Sequence, residues 1–135
     1  MTALPEMGPA HAWLSRASRD LEKASVMSEL GVFEPGDLGA YAQQAAEKSL
    51  KAVLVHEGAG VPRIHDLREL RSRCAARIAP HITDERLDAL SALWVRSRYP
   101  GDWTEPTRAD ADEALEVALA FVSDAARIIA EKENT

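Results

Sequence analysis

Gln43-Gln44-Ala45-Ala46-Glu47-Lys48-Ser49-Leu50-Lys51 is the stretch on which the fold of this chain turns. Extended in both directions it predicts a helix from about Leu38 to about Glu57, with Leu38, Tyr41, Ala42, Ala45, Ser49, Ala52 and Val53 on one stripe at spacings of three and four. Small side chains on that stripe let a neighbouring helix approach closely. Asp37 stands where it can cap the start, after the break at Pro35-Gly36.

Helical period also governs the flanking segments. Trp13, Ala17, Leu21 and Ala24 predict a first helix from about Ala10 to about Glu29, stopped by Gly31. Downstream, Gly58-Ala59-Gly60-Val61-Pro62 reads as a loop, and Asp66 with Glu69 fits a polar helix start. A third helix then carries Leu67, Leu70, Cys74 and Ile78 on one side and stops at Pro80. Thr83 caps a fourth from about Asp84 to about Ser97, with Ile82 and Leu87 spaced as a hydrophobic staple. Pro100-Gly101 and Pro106 bracket a loop around Trp103, and Thr107 with Asp110 matches a capping box before a last helix whose apolar face runs from Ala111 to Ile129. The expected fold is all-α: an antiparallel up-and-down four-helix bundle with an additional fifth helix. One domain is expected over residues 1–135, with 1–9 a flexible leading segment and 131–135 a frayed end.

Composition narrows the function classes. The chain is 46% hydrophobic and 28% charged, which is ordinary globular usage. Only 5% is aromatic, so the core is built mainly from aliphatic residues and alanine. Net charge is −6, which opposes broad sequence-independent binding of nucleic acid and confines any phosphate site to a local basic pocket. A lone cysteine, Cys74, excludes an internal disulfide. With no paired-His or Cys-His spacing, no metal is expected, and no cofactor is implied. No Lys-Ser/Thr follows Gly58-Ala59-Gly60, so this is no triphosphatase phosphate loop. The start of the chain lacks the pattern of a signal peptide, and a cytoplasmic, membrane-free protein is the expectation.

The Gln43 to Lys51 block, Trp13, Ala17, Asp20-Leu21 and Ala24 before it, and Pro62, His65-Asp66-Leu67, Leu70, Leu90, Leu93 and Arg98-Tyr99-Pro100 after it together resemble the HEPN family, in order, across Trp13 to Pro100. Many members are metal-independent ribonucleases that use an Arg and a His separated by four to six residues, contributed by both chains of a dimer. Here Arg77 stands one step too close to His81 and Arg73 too far, and the segment after helix four reads Arg98-Tyr99-Pro100-Gly101-Asp102-Trp103 with no histidine. Acid–base cleavage needs a group that exchanges protons near neutral pH, so the usual ribonuclease motif is missing from its place. The Arg-Tyr-Pro branch is often found beside minimal nucleotidyltransferases. The resemblance therefore implies a regulatory module that binds a nucleotide or that partner, as a homodimer in a toxin–antitoxin-type system. Its alternative is an RNA endonuclease toxin, or its relic, acting through Arg98 across a dimer interface.

Two readings attach to each candidate residue. As ligand contacts, Lys51 and Arg98 supply positive charge to phosphate, with Lys48 beside them, and Tyr99 stacks on a base. Asp20 balances the cluster or orients Arg98, and His65 touches ligand or starts a helix. The plainer reading makes Glu47, Lys48 and Lys51 a solvated face with an intrahelical ion pair. Trp13 is expected in the core, Trp94 in the core or a dimer seam, and Trp103 either over Arg98-Tyr99 as a lid or as the anchor of its loop.

Overall fold

The computed structural model of the protein describes residues 8–133. Most of the expected leading segment, residues 1–7, and the last two residues of the expected frayed end lie outside that range. Five helices follow in order: α1 (Pro9–Leu30), α2 (Pro35–His56), α3 (Leu67–Arg73), α4 (Asp84–Arg98) and α5 (Arg108–Glu133). No strand occurs among the described residues. The four long helices form the bundle and short α3 packs alongside, the all-α architecture that the periodicity predicts.

Local chemistry explains most helix ends. Asp66 Oδ1 accepts the Glu69 N–H at 2.8 Å, and Thr83 Oγ1 accepts the Arg86 N–H at 3.2 Å. Thr107 and Asp110 form the reciprocal box: Asp110 Oδ2 accepts the Thr107 N–H at 2.9 Å and Thr107 Oγ1 accepts the Asp110 N–H at 3.1 Å. Gly31, at φ 75°, closes α1 by donating to Met27 O at 3.1 Å. Asp37 does not cap α2. The helix begins earlier, with Pro35 and Asp37 both in its first turn, where the negative charge of Asp37 faces the positive end of the helix.

α3 is shorter than its apolar spacing suggests. The Glu57 carboxylate, just beyond α2, accepts the consecutive N–H groups of Ala75 and Ala76 at 2.8 and 2.7 Å. Those donors are thereby diverted from helical bonds, and the chain leaves α3 at Cys74. Ile78 is still buried, but from an irregular segment.

α2 is the axis of the bundle and packs on each of the other four helices. Ala42, Ala45, Ala46, Leu50 and Val53 are fully buried in a core shared with Ala17 of α1, Leu87 and Leu90 of α4, and Val117, Ala118 and Phe121 of α5. At Gly39 the α2 backbone lies close against α4: a methyl built there would fall 2.4 Å from Leu93 Cδ2. Tyr41, expected on the inner stripe, is instead exposed, with the Lys23 ammonium 5.3 Å from its ring centre. Burial wraps so far around α2 that it takes in Gln43, Glu47, Ser49 and Lys51, and this polar column leads to the site.

Candidate functional site

Gln43, Glu47 and Lys51 follow one another at four-residue spacing and so form one column on α2. Lys51 Nζ donates to Glu47 Oε2 at 2.8 Å, and both residues are buried. Gln43 Nε2 donates to Glu47 Oε1 at 3.1 Å and to the His65 carbonyl at 3.2 Å. A carboxylate so removed from water persists only if its lone pairs are used, and here they are. Burial pushes the Glu47 carboxyl up, but hydrogen bonds from Lys51, Gln43 and His65 and the Lys51 charge outweigh it and hold it below its ordinary value. Lys51 is thus part of the fold's interior, and the face is not solvated. Its ammonium also lies 5.6 Å from the centre of the Trp13 ring, which is half-buried against Ala10, Ala52 and Ile129.

His65 joins this interior to the surface. Its Nδ1 lies 3.0 and 3.1 Å from the two Glu47 oxygens, while its side chain is 61% exposed. Facing a carboxylate, Nδ1 carries the proton, which leaves Nε2 as the ring nitrogen open to an outside group. His65 does not start α3; the neighbouring Asp66 does. The imidazole stacks on the Trp94 indole with centroids 5.6 Å apart. The Arg98 guanidinium carbon lies 4.9 Å from the same indole, and the Tyr99 ring meets it edge-on at 6.5 Å. Arg98 and Tyr99 are exposed at the end of α4. Trp94 therefore organises a patch: His65, from the loop before α3, and Arg98 and Tyr99, from the end of α4, each contact its indole.

Asp20 and Lys48 stand apart from that patch. Lys48 Nζ donates to Asp20 Oδ2 at 2.6 Å, pairing α2 with α1, and Asp20 does not orient Arg98. Beside the patch, Arg96, Arg98, Tyr99, Trp103 and the start of α2 line an open cleft of about 450 Å³. Trp103 folds back on its own loop: a methyl on Gly101 would fall 2.4 Å from the indole. It walls this cleft with Arg98 and Tyr99. Of the six residues singled out in the sequence, the structure brings together His65, Arg98 and Tyr99, and places Lys51, Lys48 and Asp20 in ion pairs. The organising roles of Trp94 and Glu47 went unrecognised at the level of sequence. Their signal was the polar column of Gln43, Glu47 and Lys51 inside a run of alanine, leucine and valine. No group of three or more His, Cys, Asp or Glu side chains among the described residues is placed to hold a metal, and no described helix is long and apolar enough to cross a membrane.

A five-helix bundle with a buried polar column of Gln43, Glu47 and Lys51 and a cationic, aromatic surface patch defines an all-α helical-bundle module. The sequence model of the HEPN domain matches residues 10–129, and the chain belongs to the HEPN family. Two solved structures share the fold. TT1696 from Thermus thermophilus has a TM-score of 0.71 and 25% identity, over 87% of this chain and 96% of its own. ST0689, an archaeal HEPN homologue, has a TM-score of 0.71 and 26% identity, over 91% of this chain and 99% of its own. No curated protein matches the chain.

Proposed function

We propose that the protein is a nucleotide- or partner-binding regulatory module of a toxin–antitoxin-type system, working in the cytoplasm as a homodimer beside a minimal nucleotidyltransferase. The observation that carries this reading is the convergence of His65, Arg98 and Tyr99 on Trp94 at the surface of an otherwise acidic chain. A guanidinium fork, an open imidazole nitrogen and an exposed phenol suit a ligand that joins a phosphate to a flat ring. Lys51, Lys48 and Asp20 support the scaffold in this reading and do not touch the ligand. A thermal-shift titration with nucleotides and a short RNA, with and without magnesium, tests it against Arg98→Ala. Ligand at about one hundred times its dissociation constant adds roughly 2.7 kcal/mol, and the substitution removes the shift. A shift that persists in the variant places the ligand elsewhere. Absence of any shift takes the nucleotide out of the reading and leaves the protein partner, tested by co-purification.

One observation favours a second reading, RNA cleavage through Arg98 across a dimer interface. His65 brings a proton-exchanging imidazole to within one indole of Arg98, although the segment after α4 has no histidine. Cleavage of RNA by pure protein, lost in both Arg98→Ala and His65→Asn, would establish it. A monomeric mass at micromolar concentration would remove it together with the homodimer.

A further inference from the structure

Large apolar side chains left in water usually stand singly. At one end of the α1–α2 pair several gather. Val26 and Leu30, one turn apart on α1, are 45% and 72% exposed, and Val32 in the loop that follows is 88% exposed. Val26, Met27, Ala40 and Tyr41 line an open groove of about 1000 Å³ between the two helices. A contiguous apolar patch of this kind marks a surface that a partner covers.

The charges around it indicate which partner. Arg19, Glu22, Lys23 and Asp37 complete the lining, two cations and two anions. Arg16 and Glu29 on α1 and Glu34 before α2 are exposed nearby, and none of these charged residues is ion-paired with a described residue. In the groove between α4 and α5, by contrast, Arg86 is matched by Glu113 and Arg96 by Asp110 within the chain. A two-fold interface sets a patch against its own copy, so a patch of one sign repels itself and a patch of both signs can pair with itself. A partner surface of a single sign would meet like charge along half of this rim. Met27 and Tyr41 inside a charged rim also match the usual layout of an interface between folded chains.

We infer that the α1–α2 groove is the face on which a second copy of this chain docks, with Val26, Met27 and Tyr41 at its centre and the opposed rim charges paired across the two-fold axis. This rests on the homodimer of the reading above and names its face. Asp37 also lines the cleft beside Arg98 and Tyr99, so a copy seated in the groove comes to the edge of that cleft.

The test is sedimentation of the full chain across micromolar concentrations. Wild type sediments as a dimer. Val26→Glu enters a two-fold interface twice and raises the dimer dissociation constant by about tenfold or more. Leu119→Glu, at an exposed position of α5, leaves it unchanged. Both side chains stand at the surface, so both variants fold, which circular dichroism checks. A second pair of variants reads the charges. Glu22→Lys with Asp37→Lys makes the rim basic, and Arg19→Glu with Lys23→Glu makes it acidic. Each is monomeric alone, and their equimolar mixture forms the dimer. A dimer that survives in Val26→Glu places the interface on another face and overturns the inference while the homodimer stands. A mixture that stays monomeric overturns it as well. Monomeric wild type overturns the inference and takes the homodimer out of the reading above, whereas ligand binding at the Trp94 patch is decided separately by the thermal-shift titration.

Discussion

Asp124 on α5 accepts the backbone N–H of Ala79 at 2.6 Å, across forty-five positions of sequence. Ala79 is the one non-glycine residue at positive φ among those described, at 46°, and is buried. Arg71 holds the same segment from α3, donating to the carbonyls of Ala79 at 3.0 Å and Ile82 at 2.7 Å. A left-handed alanine persists only when its surroundings fix it, and here one residue is gripped on both sides. Asp124→Ala leaves a partly buried N–H unpaired and lowers stability by about 1–3 kcal/mol, whereas Asp124→Asn, which keeps an acceptor, costs less. Chemical denaturation of the two variants decides.

The Glu47–Lys51 pair predicts strong non-additivity. Glu47→Leu leaves a buried ammonium without counter-charge and costs about 3–5 kcal/mol. Lys51→Met costs less, because Gln43 and His65 still donate to Glu47. The double variant is more stable than the sum of the two losses allows, as urea unfolding of all four proteins should show. The pH dependence has a definite sign. Since the Glu47 carboxyl is held below its ordinary 4.5, its contribution is complete above that pH and is lost as pH falls through the lower folded value. Wild type therefore loses stability below pH 4.5 more steeply than the double variant.

Gly39 meets Leu93 where α2 crosses α4, and Leu93 is buried. Gly39→Ala gains helix propensity but forces Leu93 off its position. The overpacking term is the larger, and a net loss of about 1–2 kcal/mol is expected in thermal unfolding. The double variant Gly39→Ala with Leu93→Val should recover part of it.

Cys74 is set to be unreactive. Burial, with the Glu57 charge adding to it, pushes the thiol up to about 12 from an ordinary 9.0. The thiolate fraction at neutral pH is then on the order of a thousandfold below that of a free cysteine. Alkylation by iodoacetamide in the native protein should be correspondingly slow and should return to the free rate in denaturant.

The caps at Asp66, Thr83 and Thr107 could be read from sequence because their partners lie three residues away, inside the same turn. The end of α3 could not, since Glu57 settles it from eighteen positions upstream. The same contrast divides the site. Arg98 and Tyr99 were legible as exposed residues at a helix end, but helical spacing says nothing about which loop comes to lie over them, and His65 meets Trp94 only after tertiary packing. Lys48 and Lys51 illustrate the limit most clearly. Three positions apart on one helix, they look alike in sequence, yet one crosses to Asp20 on α1 and the other is sealed beneath Trp13 with Glu47.

The central place of α2 also orders events during synthesis. Its main partner in the first half of the chain, α1, precedes it, while α5, which covers much of its remaining apolar surface, is the last of the five helices to leave the ribosome. Until α5 emerges, α2 lacks the partner that covers much of its apolar surface, and the Glu47–Lys51 pair keeps that surface from presenting a lone charge.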